Sequence, residues 1–204
     1  MFKILVLSFY FKPDLSAGSF RATALVDALK EKMPIDGQVD VLSTSPNRYS
    51  SFAVEAFSEE KSPGLHILRI GVPTKHQSGM FGQAKGFFYF ARGVLKQTRG
   101  KHYDLVFASS SRLMTAVLGA WLARENQVKL YLDIRDIFAD TVKEVLPWYL
   151  ALLAKPVFSP LESWAVKKAN TVNLVSKGFT EYFLKRYPNQ RFLYFTNRIN
   201  NKFI

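Results

Sequence analysis

A short, almost continuously apolar run from Phe2 to Ser8 opens the chain. A segment this brief and this apolar suits a strand buried on both faces of a parallel sheet. A loop with Pro13, Asp14 and Ala17-Gly18-Ser19 follows, and then the period changes. Ala22, Leu25, Val26, Leu29 and Met33 recur at helical spacing. Strand, small-residue loop and helix together form the opening unit of a Rossmann-like, doubly wound α/β domain. In that unit the loop at the carboxyl end of the strand and the first helical turn face the ligand crevice.

The chemistry of that corner is narrow. Free backbone N–H groups at the helix start favour an anion or a polar, sugar-like group. The loop has only Gly18 and lacks G-x-G-x-x-G, so a tight dinucleotide pyrophosphate turn is not supported. Gly18 and Ser19 either just start the helix or allow a ligand close approach, with Arg21 one turn further in offering a charge.

At 204 residues the chain fits one large domain, and its 48% hydrophobic content supplies a sizeable core. There is no cysteine, which removes disulfides, thiolate metal sites and cysteine nucleophiles. His66, His76 and His102 show no metal-ligand spacing, so no metal site is expected. The formal net charge of +12 points to an anionic partner. Basic and aromatic residues together fit a membrane surface as well as nucleic acid. No apolar run approaches the roughly 18 residues of a spanning helix. The amino terminus does not read as a signal peptide, because its apolar run is short and no small-residue cleavage site follows.

Further strands are expected at Gln38–Leu42, Leu65–Ile70, Asp104–Ala108, Gln127–Leu132, Asn170–Val175 and Arg191–Phe195. The polar stretch from Arg48 to Gly64 reads as an excursion over the surface. A helix is expected from about Phe81 to Arg99. Its apolar residues include Phe87, Phe88 and Phe90, and its bases include Lys85, Arg92 and Lys96. From Lys61 to Tyr103 the chain carries eight Lys or Arg residues and no Asp or Glu. A solvated helix face usually mixes both signs. The helix therefore has two readings, a core helix with a solvated face or one lying on an anionic membrane.

Ser109, Ser110 and Ser111 lie between a strand and the helix that begins near Leu113, where they cap the helix or leave hydroxyls in the crevice. Asp133-Ile134-Arg135-Asp136 is the densest ionisable cluster, at the end of a strand where a parallel sheet delivers residues to a ligand. An Asp–Arg pair with Asp136 capping the next helix accounts for it equally. Val142 to Lys168 reads as two helices divided near Pro156 and Pro160, and Val145–Leu150 as core, a partner surface or a membrane-touching patch. Ser176 starts a helix to about Arg186, and the tail from Thr196 reads as the start of a connection.

Alternating strands and helices predict an α/β fold, a mostly parallel doubly wound sheet of about seven strands with helices on both faces. Several stretches resemble one family on that fold. KILVLSFYFKPDLSAGSFRATALVDAL resembles the first strand, loop and helix of two-Rossmann-domain (GT-B) glycosyltransferases, the group 1 or family 4-like enzymes of bacterial surface polysaccharide and lipopolysaccharide synthesis. YDLVFASSSRLMTAVLGAWLA, LYLDIRDIFAD and NTVNLVSKGFTEYF resemble later segments of its first domain, in the same order. FTNRINNKFI is similar to the family's T-N-G-I-D linker, with Arg198 in place of the glycine and Asn200 of the aspartate.

The resemblance implies that residues 1–195 form the acceptor-side domain and that 196–204 begin the linker to a donor-binding domain. It implies a nucleotide-sugar as co-substrate, with no cofactor, and a lipid-linked saccharide as acceptor. It implies catalytic roles for Asp133 and Asp136 and substrate contacts from Gly18, Ser19, Arg21, Ser110, Ser111, Arg135 and Ser176. With Lys85, Arg92 and Lys96 facing an anionic membrane, the protein would sit peripherally on the cytoplasmic face of the cell membrane. Two other classes compete. A nicotinamide-dependent oxidoreductase is disfavoured by the missing glycine fingerprint. A non-catalytic basic module for membrane or nucleic acid is disfavoured by widely spread Lys and Arg residues and by the lack of any nucleic-acid motif.

Overall fold

A computed structural model describes residues 1–46, 56–73, 79–110, 112–138 and 148–196. The strands are β1 (Lys3–Ser8), β2 (Gln38–Thr44), β3 (Glu59–Ser62), β4 (Leu65–Ile70), β5 (Leu105–Ser110), β6 (Lys129–Ile134), β7 (Thr171–Leu174) and β8 (Phe192–Tyr194). The helices are α1 (Ala17–Lys32), α2 (Gly79–Thr98), α3 (Leu113–Glu125), α4 (Trp148–Lys168) and α5 (Thr180–Arg186). One sheet runs β3-β4-β2-β1-β5-β6-β7-β8. Every neighbouring pair is parallel except β3 with β4. This is the expected mostly parallel α/β sheet, with strand order reversing between β1 and β5.

Period-two alternation divides the core. Leu5 and Leu7 of β1 join the residues packed under α2 and α3, including Phe90, Val94 and Ala120. Ile4 and Val6 face the other way, with Ala22 and Val26 of α1. The predicted apolar stripe of α1 is completed by Leu25, Leu29 and Met33, which pack on the same cluster. Each large side chain fully buried here contributes roughly 1.5–3 kcal/mol.

Four local expectations need correction. Among the described residues the sheet has eight strands, because the polar excursion ends in the antiparallel edge strand β3. Its sequence, EEKS, has no apolar alternation to mark it. Side-chain bonds hold it instead: Glu59 Oε1 lies 2.8 Å from His66 Nε2, and buried Arg69 donates to Glu60. Second, β6 extends to Ile134, which puts Asp133 inside the strand. Third, α4 is one helix with Pro156 and Pro160 inside it. Both prolines are exposed, so neither ring takes up space in the core, although each removes one helical N–H donor. Fourth, the segment after Ser176 begins as a 3-10 turn, Lys177–Phe179, before α5. Val145 to Pro147 lie outside the described residues, as do Lys75, Ser111 and the tail from Asn197.

Candidate functional site at the carboxyl edge of the sheet

The parallel strands deliver their carboxyl ends to one edge, and the ionisable residues gather there. α1 starts at that edge. Ser16 is its N-cap, and its Oγ accepts from the Ser19 amide at 3.1 Å. Ser19 itself is 1% exposed, and its hydroxyl has no hydrogen-bond partner among the described residues. Gly18 lies against Arg135, which follows β6. A Cβ built on Gly18 would be 3.2 Å from Arg135 Nη1. That nitrogen is buried and has no hydrogen-bond partner among the described residues. Burial pulls the Arg135 guanidinium below its ordinary pKa, Asp133 and Asp136 oppose that, and Arg21 adds to it. An unsatisfied buried donor costs about 1–3 kcal/mol, more when charged, so this corner gains from an anionic or polar occupant.

Arg21 occupies a different position, engaged with Asp133. Its Nε donates to Asp133 Oδ2 and its Nη2 to Oδ1, both at 2.8 Å. Asn173 of β7 is paired in register with Asp133, and its Nδ2 donates to the same Oδ1 at 2.7 Å. The Asp133 side chain is 2% exposed, so its carboxylate is held by these two residues and sealed from solvent. Asp136 is exposed at the same edge. Ser110 ends β5 fully buried, its hydroxyl reaching the Arg112 carbonyl at 3.5 Å. Ser176 caps the 3-10 turn by accepting from the Gly178 amide at 3.1 Å, a local bond that accounts for it structurally.

Two residues that sequence reasoning missed define the rest of the edge. Asn173 is fully buried, and in NTVNLV its polarity at the centre of an apolar strand was the available signal. Arg112, just after the serines, stands at the crevice where strand order reverses. Its guanidinium lies 4.1 Å from the Phe9 ring centroid, and Nη2 donates to the Tyr10 hydroxyl at 2.8 Å. Only the fold brings Tyr10 and Arg112 together, since they are far apart in sequence.

α2 divides its residues cleanly. Phe90 and Val94 are fully buried and Phe87 packs on the same core. Phe88 is 61% exposed, and Tyr89, Leu95, Lys85, Arg92 and Lys96 are exposed with it. At 100° per residue these six side chains share one outward arc. The basic run is narrower than its sequence suggests. Arg69 is buried and donates to the carbonyls of Lys12 and Phe57, and Lys61 pairs with Glu59 at 2.8 Å. Among the described residues, no cluster of three or more potential ligands could hold a metal ion, and no helix is long and apolar enough to cross a membrane.

No protein-family model and no curated protein matches the sequence. Solved structures match its fold. Sucrose-phosphate synthase from Thermosynechococcus elongatus superposes over 96% of this chain with a TM-score of 0.65 at 14% identity. UGT89C1 of Arabidopsis thaliana, solved with UDP, covers 98% at TM-score 0.59 and 16% identity. HepE of Anabaena, solved with UDP-glucose, covers 98% at TM-score 0.52 and 17% identity. The fold shared with them is the mostly parallel, Rossmann-like α/β sheet. At such identities the likeness is one of architecture, and this chain spans 48%, 53% and 45% of those three chains respectively.

Proposed function

We propose that this chain is the acceptor-side half of a glycosyltransferase that moves a sugar from a nucleotide-sugar to a lipid-linked saccharide of surface polysaccharide or lipopolysaccharide synthesis. The observation that carries the reading is the corner where Gly18, at the start of α1, meets the unsatisfied guanidinium nitrogen of Arg135. Such a corner, at the ligand edge of a glycosyltransferase fold, suits a phosphate or a sugar hydroxyl. UDP and UDP-glucose in the similar solved structures support a nucleotide-sugar as donor.

In this reading Gly18, Ser19 and Arg135 contact substrate, with Ser110 and Ser176 bordering the cleft. Asp136 is the carboxylate with access to an incoming hydroxyl. Asp133, with both oxygens already accepting, and Arg21, bonded to it, fix the geometry around them. Residues 1–195 form the acceptor-side domain, residues from Thr196 begin the linker, and donor binding belongs mainly to a second domain. This chain alone then transfers no sugar.

The outward arc of α2 supplies the membrane contact. Lys85, Arg92, Lys96 and Arg99 would contribute on the order of 4 kcal/mol against an anionic leaflet, at roughly 1 kcal/mol each. Phe88, Tyr89 and Leu95 would insert at headgroup depth. Docking there, on the cytoplasmic face of the cell membrane, brings the cleft to a lipid-linked acceptor. Liposome flotation tests it. The chain is expected to float with anionic vesicles, less so as salt rises, and more strongly when they carry a polyprenyl-diphosphate saccharide. The combined Lys85→Glu, Arg92→Glu and Lys96→Glu variant should stay at the bottom of the gradient. Equal flotation of variant and parent would remove α2 from the interface. Indifference to the saccharide lipid would count against the acceptor assignment.

A further inference from the structure

The Arg21–Asp133 pair does more than neutralise a buried charge, because the same guanidinium grips the backbone that leaves the sheet after β8. Arg21 Nη2 donates to the Phe195 carbonyl at 2.8 Å and Nη1 to the Thr196 carbonyl at 3.1 Å. Asn173 grips Phe195 from the other side. Its Oδ1 accepts from the Phe195 amide at 2.7 Å, and its Nδ2 donates to the Phe195 carbonyl at 3.2 Å. Asp133 orients both donors by accepting from each of them.

We propose that Arg21, Asp133 and Asn173 are positioning residues, a latch that fixes the direction in which the polypeptide leaves the sheet at Phe195–Thr196. Arg21 of α1 and Asn173 of β7, both held by Asp133 of β6, converge on the backbone of two consecutive residues. Those residues lie past the end of β8, which among the described residues has β7 alone as a neighbouring strand, so the ladder itself does little to fix them. Phe195 is 60% exposed, so apolar packing does not hold it either. The hydrogen bonds are therefore what orders the exit. Arg21 also stands one turn beyond Gly18, which places the latch beside the ligand corner. The latch does not depend on the chemistry assigned to that corner. If the acceptor-domain reading holds, Thr196 opens the linker, and the latch sets how a second domain addresses the cleft.

Hydrogen exchange of the Phe195 amide reads the latch directly, since its acceptor is the Asn173 side chain. In the 204-residue chain this amide should be protected. Arg21→Gln, at a half-buried position, should raise its exchange rate by about tenfold or more, as expected for losing charge-assisted bonds, while amides of β1 and β6 keep their rates. Asn173→Ala should have the larger effect at Phe195. If that variant fails to fold, Arg21→Gln still decides. A Phe195 amide already unprotected in the parent would overturn the proposal. So would an unchanged rate in Arg21→Gln, or a uniform acceleration of every amide, which would mark general destabilisation and no separate latch.

Discussion

Gly18 and Arg135 illustrate how tightly single residues determine the chemistry of this edge. With a Cβ at residue 18, Arg135 Nη1 would sit at 3.2 Å, closer than ordinary van der Waals contact, and the guanidinium would have to give by a few tenths of an ångström. The end of an arginine moves cheaply, so Gly18→Ala should change stability by less than about 1 kcal/mol, below the usual penalty for overpacking a core. It should nevertheless weaken binding of a phosphate-bearing ligand on the order of tenfold, because charge-assisted bonds need the donor in place. Calorimetric titration and urea unfolding of the same variant separate the two effects. Loss of stability without loss of affinity would reduce Gly18 to a helix starter. The sequence already exposed this corner, because strand, loop and helix periods are local signals. It did not expose the partner of Arg21. Within LYLDIRDIFAD the nearest basic residue to Asp133 is Arg135, whereas the chain folds Asp133 onto Arg21 and Asn173 from other elements.

At the scale of elements, α4 and α5 are joined by a buried polar cluster. Glu162, 2% exposed, accepts from the hydroxyls of Tyr187 at 2.9 Å and Tyr182 at 3.2 Å, with Arg186 Nε 3.9 Å away. Burial raises the Glu162 carboxyl above its ordinary 4.5, although the two tyrosines and Arg186 pull the other way. Burial and the Glu162 charge push the Tyr187 hydroxyl up to about 12. The folded chain then binds more protons than the unfolded one across a window that opens near 4.5 and runs upward. Within it, stability falls as pH rises, because the unfolded state gives up its proton first. Glu162→Gln keeps an acceptor for the tyrosines and removes the titration. Its stability relative to the parent should therefore be greater at about pH 7 than at about pH 4, as read by urea unfolding. An identical difference at both pH values would show that Glu162 does not titrate in that window. Elements differ in how legible they are. The apolar parallel strands were readable from short hydrophobic runs. β3 was not, since an edge strand of EEKS is held by side-chain bonds that composition cannot show. The continuous α4 was hidden for a different reason: a proline in sequence reads as a break, whereas this helix runs through two exposed prolines.

Over the described residues, one sheet gathers a buried carboxylate, an unsatisfied guanidinium nitrogen, a helix start and the exit of the chain at a single edge. α2 presents bases and aromatics from a neighbouring layer. Parallel strands joined through helices bring their carboxyl ends to one edge, so the gathering of Gly18, Asp133 and Arg135 was implicit once the alternation of strands and helices was recognised. Which side chains remain available to a ligand was not implicit, since that depends on contacts between residues far apart in sequence. The most direct test is an amide chemical-shift titration of the 204-residue chain with a short-chain, water-soluble polyprenyl-diphosphate saccharide. An acceptor domain predicts saturable shifts centred on Gly18, Ser19, Arg135 and Asp136, largely abolished by Arg135→Ala. Shifts confined to the opposite edge, near Gly37 and Lys101, or no saturable shift at all, would contradict it.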